Sequence, residues 1–89
     1  MQRIFKYPIE VLDRQTIMLP TGAVIRAIQW QGTQLCLWAE VNDKATPVPR
    51  DIATYGTGHE MPDYPGNYIG TFQMNQGQFV FHAYDRGSV

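Results

Sequence analysis

The chain has 89 residues, seven basic and eight acidic side chains, a formal net charge of -1 and one cysteine, Cys36. That length suits a single domain over residues 1–89 with a thin core. One cysteine excludes an internal disulfide and a four-cysteine zinc site, so self-association is the stabilising device left open, and a homo-oligomer, most simply a dimer, is expected.

The basic residues Arg3, Lys6, Arg14, Arg26, Lys44, Arg50 and Arg86 are scattered along the chain. Binding to a DNA or RNA polymer needs a clustered basic face, which the sequence does not offer. A small anion asks for less, because one or two arginines with backbone amides hold a phosphate. No apolar run approaches the roughly 20 residues that span a bilayer. The start, Met1-Gln2-Arg3-Ile4-Phe5-Lys6, lacks the pattern of a secretion signal. A cytoplasmic protein without a membrane partner is expected, and a lone thiol suits that reducing compartment.

In chain order, Arg3 to Tyr7 reads as a short strand stopped by Pro8, and Thr16 to Leu19 as another stopped by Pro20. Between them, Glu10 to Gln15 has room for one helical turn at most. Val24-Ile25-Arg26-Ala27-Ile28-Gln29-Trp30 alternates, with Val24, Ile28 and Trp30 on one face and Arg26 among them. Leu35 to Val41 alternates cleanly, placing Leu35, Leu37, Ala39 and Val41 against Cys36, Trp38 and Glu40. Gly32 between these runs predicts a hairpin. Asp43 to Pro49 reads as a loop, and Asp51 to Tyr55 as a short strand. Tyr68 to Met74 and Phe79 to Tyr84 flank Asn75-Gln76-Gly77, a second hairpin signal. Phe72, Phe79 and Phe81 are expected in the core. The sum is an all-β fold, a small antiparallel sandwich or open barrel of about seven short strands.

The non-periodic stretch Tyr55 to Asn67 holds three of the eight glycines, two of the six prolines and His59. Long ordered loops in small domains are often functional, though this one also reads as a plain connection. It is not a P-loop, because no lysine follows its glycines, nor a helical zinc motif, because Asp63 stands where a second histidine belongs and Pro62 breaks a helix. His59, His82 and Asp63 make a poor ligand set, so neither metal nor cofactor is expected. His82 is expected on a strand face, bonded to a neighbour. Ser88 is the only serine and Cys36 lies mid-strand, which leaves no activated nucleophile and no enzyme in view.

The candidate site is the loop Tyr55, Gly56, Thr57, Gly58 and His59 with Trp38 and Arg26. Gly56 and Gly58 let amides approach an anion, Thr57 adds a hydroxyl and His59 a ring donor. Trp38, Tyr55 or Tyr68 would stack a base, or else cover the core. Arg26 is either the countercharge or a rim residue whose stem covers the sheet.

Several segments in order are similar to a family. They are Arg3-Ile4-Phe5-Lys6-Tyr7-Pro8, Leu35-Cys36-Leu37-Trp38-Ala39, Tyr55-Gly56-Thr57-Gly58-His59 before Pro62, and Tyr68-Ile69-Gly70-Thr71-Phe72 leading to Phe79-Val80-Phe81-His82. Together they resemble small proteins encoded by tailed bacteriophages and prophages and classed as a domain of unknown function. The resemblance implies a protein made in the host cytoplasm. By analogy of class it implies a non-catalytic counter-defence sponge that sequesters a nucleotide immune signal, a cyclic nucleotide or an ADP-ribose derivative. The alternative is a protein-directed inhibitor or phage accessory or structural protein acting through a protein interface.

Overall fold

A computed structural model describes residues 1–89. It contains seven strands and no helix: β1 (Gln2–Pro8), β2 (Arg14–Pro20), β3 (Val24–Gln31), β4 (Gln34–Asn42), β5 (Pro47–Gly56), β6 (Asn67–Met74) and β7 (Phe79–Ser88). They form two antiparallel sheets, a three-stranded one in the order β1-β4-β3 and a four-stranded one in the order β2-β5-β7-β6. The sheets face each other as a sandwich and do not close into a barrel. No helix is long and apolar enough to cross a membrane.

The two hairpins form where glycine permits a left-handed turn. Gly32 has φ +61° between β3 and β4, and Asn75, Gln76 and Gly77 all have positive φ between β6 and β7. β4 lies at the centre of its sheet, and the alternation that marks it is the core: Leu35, Leu37, Ala39 and Val41 are all buried. Cys36 is buried as well. Facing them across the sandwich are Ile52 on β5, Phe72 on β6 and Ala83 on β7.

β3 departs from the expected alternation. Its pairing with β4 carries a bulge between Ile25 and Ala27, so Ile25 lies opposite Ala39 and Ile28 opposite Leu37. Both therefore face the core although they are three apart, and Val24 and Arg26 are turned out to solvent. A one-residue slip exchanges faces, and here it corrects the assignment of Val24 and Arg26 to the face of Ile28.

β5 begins earlier than expected, at Pro47, inside the stretch read as a loop. Over residues 47–49 it has one paired neighbour, β2, since β7 pairs only from Arg50 onward. Proline nitrogens cannot donate, and they fall where one side of the strand needs no donor. Phe72 is buried and Phe81 half-buried, but Phe79 is 47% exposed beside the hairpin turn and does not belong to the core. Residues 10–15 form no helical turn.

The sheets approach closely along one edge. A Cβ on Gly70 of β6 would lie 2.9 Å from Cγ2 of Ile28 on β3, so only glycine admits this contact. Beside it the Trp30 indole N–H donates to the Gln73 carbonyl at 2.7 Å, and its ring meets Phe72 edge-on. Tyrosine- and tryptophan-type rings pack in this way with one polar tip satisfied.

One charge is buried between the sheets. Arg50 is 6% exposed; it donates to Asp85 at 2.7 Å and to the Ala23 carbonyl at 2.7 Å. Its Nε has no partner. Removing one member of such a pair leaves an uncompensated interior charge, whereas replacing both with apolar groups does not. Asp85→Asn should therefore lower unfolding free energy by about 3–5 kcal/mol in urea denaturation. The double change Arg50→Met with Asp85→Leu should recover most of that loss. Equal losses in the two variants would show that the pair's charge is not what matters.

Candidate functional site

β5 outruns its neighbour. β2 starts at Arg14, opposite Ala53, and the last contact on that side is the Thr54 amide donating to the Asp13 carbonyl at 2.9 Å. Strand residues alternate sides, so the next backbone group turned toward the missing strand is the Gly56 amide. The space that a longer β2 would fill is a cleft of about 340 Å³, lined by Asp13, Arg14, Tyr55, Gly56, His59 and Glu60 among others. The expected loop residues Tyr55, Gly56 and His59 thus share a wall. Arg14 is the cation beside them.

The loop's geometry decides which donors are free. Gly58 has φ +85°, which requires glycine there. Gly56 lets the His59 ring pack closely on the backbone, where a Cβ would lie 3.0 Å from it. The His59 amide donates to the Gly56 carbonyl at 3.1 Å and the Thr57 amide to the Val80 carbonyl at 3.0 Å. The Thr57 hydroxyl donates to the same Val80 carbonyl at 3.2 Å. The amide and hydroxyl of Thr57 therefore hold the loop to β7, the His59 amide closes the turn onto Gly56, and the exposed His59 ring and the Gly56 amide remain as donors toward the cleft.

Tyr55 also belongs to the outer face of the four-stranded sheet. The register aligns Tyr55, His82 and Thr71 in one row and Ala53, Tyr84 and Tyr68 in the next. Tyr84 meets Tyr55 and Tyr68 edge-on, with ring centroids 5.7 and 5.6 Å apart. His82 Nε2 lies 2.8 Å from the Thr57 hydroxyl and Nδ1 lies 2.9 Å from the Thr71 hydroxyl. Thr57 has one hydroxyl proton, already given to Val80, so Nε2 carries the hydrogen and donates to it. Nδ1 of the neutral ring then accepts from Thr71, and Thr71 accepts from the Tyr68 hydroxyl.

Along the same face, Arg14 and Arg86 share one carboxylate. Arg14 donates twice to Asp51, which is 13% exposed, and Arg86 Nε lies 3.6 Å from it. Arg86 also donates to the Tyr64 carbonyl at 3.0 Å. The hydrogen bonds to Asp51 push the Arg14 pKa above its ordinary value.

Arg26 and Trp38 sit elsewhere, on the outer face of the three-stranded sheet, where Trp38 is flanked by Lys6 and Ala27. Arg26 gives a two-point contact to Glu40, at 2.9 and 3.1 Å. Its charge is answered by its own sheet, and the structure does not bring it or Trp38 to the Tyr55–His59 loop. Sequence reasoning missed Arg14, Thr71, Tyr84 and Arg86. Parity along β7 separates His82 and Tyr84 from Phe81 and Ala83, but only the register joins them to Tyr55, Tyr68 and Thr71. No three His, Cys, Asp or Glu side chains converge into a metal-binding group.

A family described as a domain of unknown function (DUF7352) matches residues 1–88. The chain belongs to that family. No curated protein and no solved structure matches it significantly. The match spans both sheets, the cleft and the tyrosine face of this chain.

Two measurements check this geometry. The hydrogen bonds from Arg26 hold the Glu40 carboxyl below its ordinary 4.5. Removing the cation removes that stabilisation of the charged form, so Arg26→Ala should raise the Glu40 pKa toward 4.5 in a carboxyl NMR titration. An unchanged value would mean that the pair does not persist in solution. In alkaline solution, nitrogen NMR of His82 should show hydrogen on Nε2 and none on Nδ1. Thr57→Val, which deletes the acceptor, should weaken that tautomer preference.

Proposed function

We propose that this domain is a non-catalytic binding module that holds a nucleotide-type ligand in the cleft beside β5 without turning it over. The observation that carries the reading is the early end of β2, which leaves the Gly56 amide unpaired beside Arg14, Tyr55 and His59. Arg14 and His59 supply donors for a phosphate, and a guanidinium contact to phosphate is charge-assisted. Asp13 and Glu60 line the same cleft. An inorganic anion gains little from a site with balanced charge, but a nucleotide presents both signs of chemistry. Its phosphate accepts from the cations, and its ribose hydroxyls and base amino groups donate to the carboxylates. Tyr55 lies at the boundary of cleft and sheet face, where a base gains a stacking surface continuous with Tyr84.

The setting we propose is a phage-encoded protein that sequesters a nucleotide immune signal in the host cytoplasm. The family-like segments support it, as does the position of Tyr55, Gly56 and His59 of one such segment in the cleft wall.

The test is a calorimetric titration of cyclic and ADP-ribose-type nucleotides. Wild type should bind at least one of them, and native mass spectrometry should recover that nucleotide unchanged. Arg14→Ala and His59→Ala should each weaken binding by about tenfold or more, the loss expected for a charged hydrogen bond. Arg26→Ala and Trp38→Ala should leave it unaltered. Binding that survives His59→Ala and Gly58→Val alike would remove the loop from the site. Absence of binding to every nucleotide would favour a protein partner instead.

A further inference from the structure

β1 is an edge strand whose protection has been turned aside. It pairs with β4 on one side only. Exposed sheet edges are usually guarded by charged side chains, lysine above all, projecting at the edge. β1 carries Arg3 and Lys6, yet both reach back over their own sheet. Arg3 Nε donates to Asp43 at 2.5 Å, beyond the end of β4, and Lys6 Nζ donates to Gln31 on β3 at 2.6 Å. Two large apolar side chains are left exposed at the edge. Ile4 is 64% exposed on the outer face, and Phe5 is 39% exposed on the inner face, opposite buried Ala39. Tyr7, two residues on, is half-buried and packs against both hydrophobic clusters of the core, whereas Phe5 stays exposed. The strand thus shows exposed apolar surface on both faces.

The other open edge differs. On β2, Ile17 and Leu19 already pack into the core, and Met18 is the only large apolar residue left exposed.

We infer that β1 is an interaction edge for a second copy of this chain, pairing antiparallel with its own counterpart about a two-fold axis. Such an axis stands perpendicular to the sheet and keeps inner faces inner, so residues that meet must share a face. Phe5 is the midpoint of Gln2–Pro8, and an axis through Phe5 pairs the whole strand. It sets Phe5 against Phe5, Ile4 against Lys6 and Arg3 against Tyr7, with no like charges opposed. An axis at Lys6 would oppose two ammonium groups, and one at Ile4 would leave both ends unmatched. The product is one continuous six-stranded sheet in which each Phe5 covers the other, an aromatic cross-strand pair. A single strand pairing buries less than the roughly 1,200 Å² of a standard interface, so the dimer is weak, with a dissociation constant on the order of micromolar.

Sedimentation of the full chain from low to high micromolar concentration should show a monomer–dimer equilibrium. Phe5→Glu sets two carboxylates face to face and should weaken it by about tenfold or more while the circular dichroism spectrum stays that of wild type. A second pair of variants fixes the register independently of affinity. Under mild oxidation Phe5→Cys should give a covalent dimer, since directly opposed Cα atoms lie about 4.5–5.5 Å apart. Ile4→Cys should not, because its own counterpart lies diagonally, beyond the roughly 7 Å that a disulfide can bridge. Cys36 is 1% exposed and does not compete. A monomer at every concentration overturns the proposal. So does a dimer indifferent to Phe5→Glu, or one cross-linked by Ile4→Cys and not by Phe5→Cys.

Discussion

The approach of β3 to β6 is the constraint on which the rest of the molecule depends. The sheets meet there because Gly70 has no side chain, and Ile28 takes the space. Trp30 then reaches across to the Gln73 carbonyl. That edge holds the sheets together more tightly than the other, where β1 and β2 lie. The chain crosses between the sheets on this side, through Ile9, whose amide bonds the Leu35 carbonyl and whose side chain is buried. A thickness of only 15 Å follows from having one tight edge and a core of short aliphatic side chains. Both surfaces singled out above belong to that other side: the cleft left by the short β2, and the exposed edge of β1.

Ion pairs link neighbouring strands across both sheets. Each of the five arginines meets a carboxylate: Arg3 with Asp43, Arg26 with Glu40, Arg50 with Asp85, and Arg14 and Arg86 with Asp51. Most of these are solvent-exposed and contribute little each. The buried Arg50 pair is different, since its charge has no water to fall back on. The scattered basic residues of the sequence are therefore staples between strands. That is why no basic face emerges in three dimensions, although strand pairing gathers distant residues.

Much of the architecture was legible because the core strands are amphipathic on one face. Leu35, Leu37, Ala39 and Val41 announce β4 without ambiguity, and Gly32 and Gly77 announce the turns. The faces of β3 were not legible. Apolar residues at Val24, Ile25, Ala27 and Ile28 allow either phase, and the bulge is chosen by pairing with β4, not by local composition. That displacement turned Arg26 to the outer face of the three-stranded sheet, while the Tyr55 to His59 loop follows a strand of the other sheet. The site was legible as a loop and illegible as a cleft. Tyr55 to His59 stand out by their glycines and histidine. Arg14 belongs with them only because β2 stops opposite Ala53, a fact of register that no single segment encodes.

In the proposed complex, Asp51 lets the cleft engage an anion at low cost. Its carboxylate is largely covered and would be expensive to leave bare, whereas Arg14 has 56% of its side chain in solvent. If Arg14 were the carboxylate's sole partner, a ligand phosphate could recruit it only by stranding Asp51. Arg86 removes that difficulty. It already lies 3.6 Å from the carboxylate, with 27% of its side chain exposed, and can stay there while Arg14 turns to the ligand. In the proposed complex one guanidinium serves the sheet and the other the ligand. The pairing of two cations with one carboxylate then leaves a single positive charge for binding, which matches a cleft whose other charged groups, Asp13 and Glu60, are better suited to hydroxyls and amino groups than to phosphate.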